Sequence, residues 1–137
     1  MKLQKRFSSE SGASAVEFAI LLPILMMILF GIIEFGFALY RQAILTNASR
    51  EGARRGIIQS PTPISDAEIN AVIDNYLTQA GINAANVTRN GNYVTSTTVG
   101  SPVRVQLTLP YTFVVLPQIA SISANLNLVA VTEMSHE

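Results

Sequence analysis

The most restrictive feature of this chain is a stretch of sixteen residues without a charge, Phe18 to Ile33 (FAILLPILMMILFGII). Glu34 interrupts it, Phe35 to Tyr40 resume it and Arg41 closes it. As a helix, residues 18–40 span about 35 Å at ~1.5 Å per residue. A bilayer core of ~30 Å needs about 20 residues, so the segment is long enough to cross. The alternative, a helix buried in a soluble core, needs a sheath that the remaining hundred or so residues lack. The reading is a membrane span over about 18–40.

Composition narrows the chemistry. Nine Lys or Arg balance nine Asp or Glu, so net charge offers no general attraction to nucleic acid. There is no Cys, which excludes disulfides, thiolate metal sites and a cysteine nucleophile. The single imidazole, His136, is next to the last residue, a poor place for a triad base or metal ligand. Asp66, Glu68 and Asp74 fall near one another on a predicted helix, where capping and solvated-face roles fit better than metal or acid-base chemistry. The expectation is no enzyme, no cofactor and no metal.

The first twelve residues carry Lys2, Lys5 and Arg6 against Glu10, like the basic start of a signal peptide. The apolar run exceeds the 7–15 residues of a signal core, and the small residues lie before it rather than after it. Any cut is therefore expected among the small residues from Ser8 to Ala15, with the helix retained. Basic residues flank both ends of the span, so charge does not orient it.

Glu17 stands at the rim of the span, and carrying a carboxylate to a bilayer centre costs roughly 2.5–3.5 kcal/mol. Either it snorkels to the headgroups or it has a partner. Glu34, about 24 Å along the helix from Phe18 at ~1.5 Å per residue, is read as interfacial or as a contact within a helix bundle. Pro23 removes an amide and loosens the helix locally, which neighbouring helices can offset. Residues 41–56 continue the helix, with Ala43, Ile44, Ala48 and Gly52 as a close-packing stripe and Glu51 set to pair with Arg55. Gly56 is a stop, and Ser60-Pro61-Thr62-Pro63 reads as a stiff linker.

Ser65-Asp66-Ala67-Glu68 fits a capping box opening a second helix with the stripe Ile69, Val72, Ile73, Tyr76, Leu77 and Ala80, stopped by Gly81. Strands are predicted over Asn86–Arg89, Tyr93–Val99, Val103–Leu109 and Leu126–Glu133, with a hairpin at Asn90-Gly91 and a turn at Gly100-Ser101-Pro102. Residues 110–117 read as a connector, apolar enough to pack over the sheet or dock a partner. The predicted fold is α+β, a long stalk helix carrying a small head. A leader over 1–12 precedes a stalk helix over 13–58, a linker over 59–64 and a head over 65–137. That head is one helix on a three- or four-stranded antiparallel sheet.

The residues Gly12-Ala13-Ser14-Ala15-Val16-Glu17-Phe18, a short basic leader before a long apolar helix, resemble the processing site of type IV prepilin-like proteins. Together with Leu22-Pro23, Glu34-Phe35-Gly36 and the Asn47-to-Gly56 stretch, they resemble the TadE-like family, minor pilins (pseudopilins) of tight-adherence, or Flp/Tad, pili. The resemblance covers Gly12 to Gly56. It implies cutting by a prepilin peptidase between Gly12 and Ala13 on the cytoplasmic face of the inner membrane, with the head periplasmic or extracellular. The freed Ala13 amine and Glu17 would then pair on one helical face, within or between subunits. Arg50, Glu51 and Arg54 form the stalk motif of the resemblance. Implied partners are other pilin and pseudopilin subunits, the inner-membrane assembly platform and membrane lipid, in a pilus for surface attachment. The other reading kept open is an uncleaved, single-span periplasmic interaction protein of the same apparatus.

Overall fold

A computed structural model describes residues 9–58, 62, 64–90, 93, 98, 100–114 and 125–136, with side chains from residue 12 onward. One helix dominates it. Helix α1 runs unbroken over Ser9–Gly56, 48 residues, straight through Pro23. It starts upstream of the expected Ala13 and puts Gly12 within helix rather than in an extended segment. The next elements are α2 (Asp66–Gln79), a single 3-10 turn (Ala84–Asn86), and strands β1 (Thr88–Arg89), β2 (Pro102–Thr112) and β3 (Asn125–Ser135). The three strands form one antiparallel sheet in the order β1-β2-β3.

Local sequence accounts for the boundaries. Ser65 and Glu68 close a reciprocal cap at the start of α2. At its end Gly81 takes φ +76° and Ile82 N–H reaches back to the Leu77 carbonyl at 2.9 Å, the left-handed stop that glycine adopts without steric cost. Asn86 belongs to the 3-10 turn rather than to a strand, because the Asn83 side chain accepts from the Ala85 N–H at 3.0 Å and tightens the chain there.

Two strand expectations change. The segment 88–89 pairs with β2, in the register Thr88↔Thr108 and Arg89↔Leu107, whereas the expected hairpin through Asn90-Gly91 and most of 93–99 lies outside the described residues. Strand β2 also runs three residues past Leu109, absorbing Pro110, Tyr111 and Thr112 from the expected connector. Proline is tolerated there because, among the described residues, β1 pairs with Leu107 and Thr108 and stops short of Pro110, leaving that flank without a ladder to break.

The core forms where α1 changes character. Residues Val103, Val105, Leu107, Leu109 and Tyr111 of β2, with Leu128 and Ala130 of β3, turn one sheet face inward; Ile69, Ile73 and Leu77 supply the apolar side of α2. The second half of α1 packs against α2, β2 and β3 with the stripe Ala38, Ile44, Leu45, Ala48, Ser49, Gly52 and Ala53. Ala43, expected in that stripe, is exposed; Leu45 and Ser49 carry it instead. Arg55 likewise turns from the expected Glu51 to Glu68 of α2, at 3.1 Å, because its base is at the α1–α2 seam.

Small residues set the helix spacing. A Cβ on Gly52 would stand 2.7 Å from Ile73 Cδ1 and Cγ1, and one on Gly56 2.7 Å from Val103 Cγ1. Gly52→Ala gains about 0.8–1 kcal/mol of helix propensity but overpacks a site where typical penalties are about 1–3 kcal/mol. The net expectation is destabilisation, read as a lower midpoint in thermal unfolding of the detergent-solubilised protein. An unchanged or raised midpoint would mean that the helices separate freely at this point.

Candidate functional site: the stem and its junction with the head

Along residues 12–33 every described side chain is exposed or half-exposed. Between Val16 and Tyr40, seventeen large apolar side chains stand largely uncovered, among them Phe18, Ile24, Ile28, Ile32 and Phe37. Covering such a side chain fully is worth about 1.5–3 kcal/mol, so half that gain over the set is on the order of 20 kcal/mol. This exceeds the whole stability of an ordinary domain, roughly 5–15 kcal/mol. Such a surface favours a nonaqueous cover over water. Among the described residues one helix is long and apolar enough to cross a membrane, and its most apolar stretch is 0% buried within the chain.

At Glu34 the helix acquires a protein neighbour. Its side chain is only 5% exposed. The carboxylate accepts the backbone N–H of Val114, while the Glu34 carbonyl accepts the Tyr111 hydroxyl at 3.3 Å. Tyr111 stacks edge-on against Phe113, centroids 5.2 Å apart, and the Arg41 guanidinium stands 5.3 Å from the centre of the Tyr111 ring. Glu34 thus resolves to a contact within the chain, between the stem and the end of β2, which neither sequence expectation included. On that side Glu34 and Ala38 face the head, while Phe35, Phe37, Leu39 and Tyr40 keep facing outward.

Further up, polar contacts fix the register of α1 on the sheet edge. Gln42 Nε2 donates to the Val129 carbonyl at 2.9 Å. The buried Ser49 hydroxyl donates to the Thr46 carbonyl (2.8 Å), so in its 2.7 Å contact with Thr132 it is Thr132 that donates. Gln42, Ser49, Tyr111 and Thr132 were not singled out in the sequence. Only the inward alternation of Leu107, Leu109 and Tyr111, read through Pro110, would have pointed to one of them.

The remaining expected site residues are dispersed. Gly12 and Glu17 are exposed near the start of α1, and a Cβ on Gly12 would meet nothing within 4 Å. Pro23 is exposed on the bare stem, away from the head. Arg50, Glu51 and Arg54 are exposed, whereas Gly52 and Ala53 between them are buried, so the motif splits into small residues for packing and charges for the outer face. The three carboxylates of α2 are each engaged: Asp66 accepts the Tyr93 N–H at 3.3 Å, Glu68 caps Ser65, and Asp74 pairs with Arg89. Tyr93 is 2% exposed and donates its hydroxyl to Asn70 at 3.0 Å; burial pushes its phenol upward.

The backbone N–H and hydroxyl of Ser65, with Arg55 alongside, hold the Glu68 carboxyl below its ordinary value of 4.5. A depressed carboxyl stabilises the fold in full above that ordinary value, and the contribution disappears as pH falls through the folded one.

An apolar stem carrying a small α+β head defines the class, and it fits a single-pass membrane anchor. Residues 12–54 match the TadE-like protein family, a match that supports a Tad pilus-associated protein. The matched stretch lies wholly within α1 and stops short of α2. No curated protein matches the chain, and no solved structure does.

Two outcomes follow from these contacts. Glu34→Ala removes the acceptor for Val114, and amide exchange at Val114 in the solubilised protein should rise about tenfold or more, as suits the loss of a bond to a charged group worth ~1.5–3 kcal/mol. Glu34→Gln, which retains a carbonyl acceptor, should raise it less; equal exchange in all three proteins would remove Glu34 from the junction. Separately, Glu68→Gln should flatten the loss of α2 protection between neutral pH and pH 3, measured by exchange of the first-turn amides. A loss as steep as in the parent protein would place that acid sensitivity elsewhere.

Proposed function

We propose that the chain is a minor pilin (pseudopilin) of a tight-adherence pilus, anchored in the inner membrane by α1 with its head on the periplasmic or extracellular side. A prepilin peptidase cuts between Gly12 and Ala13. The freed Ala13 amine and the Glu17 carboxylate, four residues apart on one helical face, then neutralise each other within a subunit or between neighbours. The negative Glu17 is also near the positive end of the helix macrodipole. The observation that carries this reading is the TadE-like match, which begins at Gly12 and follows the stem to residue 54. The free Cβ direction at Gly12 supports it, since a peptidase meets no packed neighbour there. Other pilin subunits and the assembly platform are its partners, and surface attachment is the outcome. No catalytic role is proposed.

A second reading draws support from α1 itself. The helix already extends back to Ser9, so a peptidase has to unwind its first turn. An uncleaved anchor that stays in the membrane and binds other parts of the apparatus avoids that step.

N-terminal sequencing of the protein from membranes and from sheared pili separates the two. A mature chain starting at Ala13 and present in pili is expected; persistence of Met1 in both fractions selects the uncleaved anchor. Glu17→Ala should leave cutting and insertion intact while reducing recovery in pili several-fold, and undiminished recovery would count against the charge pairing.

A further inference from the structure

Where the stem meets the head, a cavity of about 330 Å³ opens on the side of α1, lined by Phe30, Ile33, Glu34, Phe37, Arg41, Tyr111 and Val114. We propose that this cavity seats a phospholipid, with its phosphate on Arg41 and part of one acyl chain along Phe37, Ile33 and Phe30. The inference rests on the reading of α1 as a membrane span and adds a specific site to it.

Depth and chemistry agree on this occupant. With Phe18 at one edge of the hydrocarbon layer, Arg41 is about 35 Å further along at ~1.5 Å per residue, the level of the opposite headgroups. Phe37, Ile33 and Phe30 descend from it by one-turn steps into the hydrocarbon region. The cavity is thus polar at the headgroup plane and apolar below it, the same order as a lipid molecule. Glu34 does not spoil that order, because its carboxylate is buried and receives the Val114 N–H.

Arg41 is exposed and makes no ion pair among the described residues. The Tyr111 ring holds its guanidinium by a cation–π contact, Cζ standing 5.3 Å from the ring centroid, which takes up none of its charge in an ion pair and leaves N–H donors for a ligand. A guanidinium so placed suits a phosphate, which accepts two parallel N–H bonds. The cavity is at the small end of ligand sites, roughly 300–1,000 Å³, and takes a stretch of chain rather than a whole lipid. The rest of such a lipid stays in the bilayer, with which the cavity is continuous through the bare stem.

The test uses the full chain in vesicles of phosphatidylethanolamine and phosphatidylglycerol. A photoreactive p-benzoylphenylalanine replaces Val114, whose side chain is 72% exposed; in a second protein it replaces Ile24 on the bare stem. Mass spectrometry after illumination identifies what each position captures. Lipid capture is expected at both. Adding Arg41→Gln should reduce capture at position 114 about tenfold, as the loss of a charge-assisted contact implies, and leave capture at position 24 unchanged. Arg41→Lys, which retains the charge but not the paired N–H groups, should restore only part of it. Three results overturn the site: no lipid at 114 while 24 captures it, a second copy of the chain captured at 114, or capture at 114 indifferent to Arg41→Gln. Absence of lipid at position 24 would overturn the membrane span itself, and the site with it.

Discussion

The contact of Glu34 with the residues at the end of β2 is the point at which one continuous helix passes from a bare stem to a packed one. Before it, α1 presents exposed apolar side chains and packs against no other element among the described residues. After it, one face is packed against α2 and the sheet while the other remains apolar as far as Tyr40. A carboxylate at that changeover is costly unless its charge is met by donors. The Val114 N–H meets it from the head, and the Tyr111 hydroxyl ties the backbone of the same residue. The position of the head along the stem is thereby set by a polar contact of defined geometry, which apolar packing alone would leave free to slide by a turn.

Above the junction, the spacing of helix and sheet depends on residues with almost no side chain. Gly52 and Gly56 let Ile73, Ile69 and Val103 reach the surface of α1 at distances that a methyl group would occupy. Ser49 and Thr132 then exchange a hydroxyl bond in the space left between the helix and β3. This explains why a stretch containing Arg50, Glu51 and Arg54 belongs to a buried seam: its charges point outward, and its small residues carry the contact. The stem is therefore also the central helix of the head.

Much of this was legible from residue types. The long apolar run, the Ser65–Glu68 cap, the stop at Gly81 and the alternation of Val103 to Leu109 are local signals whose physics does not depend on the rest of the chain. What was not legible depends on distant pairing. Glu34 looks interfacial in isolation because its partner is eighty positions away and is a backbone N–H, which has no residue type to recognise. Pro110 looked like the end of a strand because proline removes a donor, yet the short β1 leaves that flank unpaired. Arg55 had a suitable partner four residues back and took a better-placed one on α2. Ala43 failed for a related reason: small residues mark helices that can approach, but not which side the neighbour occupies.

The two halves of α1 also differ in what a change of surroundings does to them. The head half has its contacts inside the chain, so it holds its shape whether the stem lies in lipid or against other stems. The apolar side chains of the stem half stay uncovered among the described residues, and they are indifferent to whether acyl chains or apolar helices cover them, since the gain per buried area is nondirectional. Under the proposed pilin function, transfer from bilayer to filament would be an exchange of one apolar coat for another around residues 18–33, at little cost in burial. The polar groups discriminate between the two surroundings. Glu17 at one end and Arg41 at the other require charged or dipolar partners wherever the stem goes, and those partners differ between a headgroup layer and a neighbouring subunit. Charges at the ends of an otherwise uniform apolar rod are therefore the place where membrane residence and assembly compete.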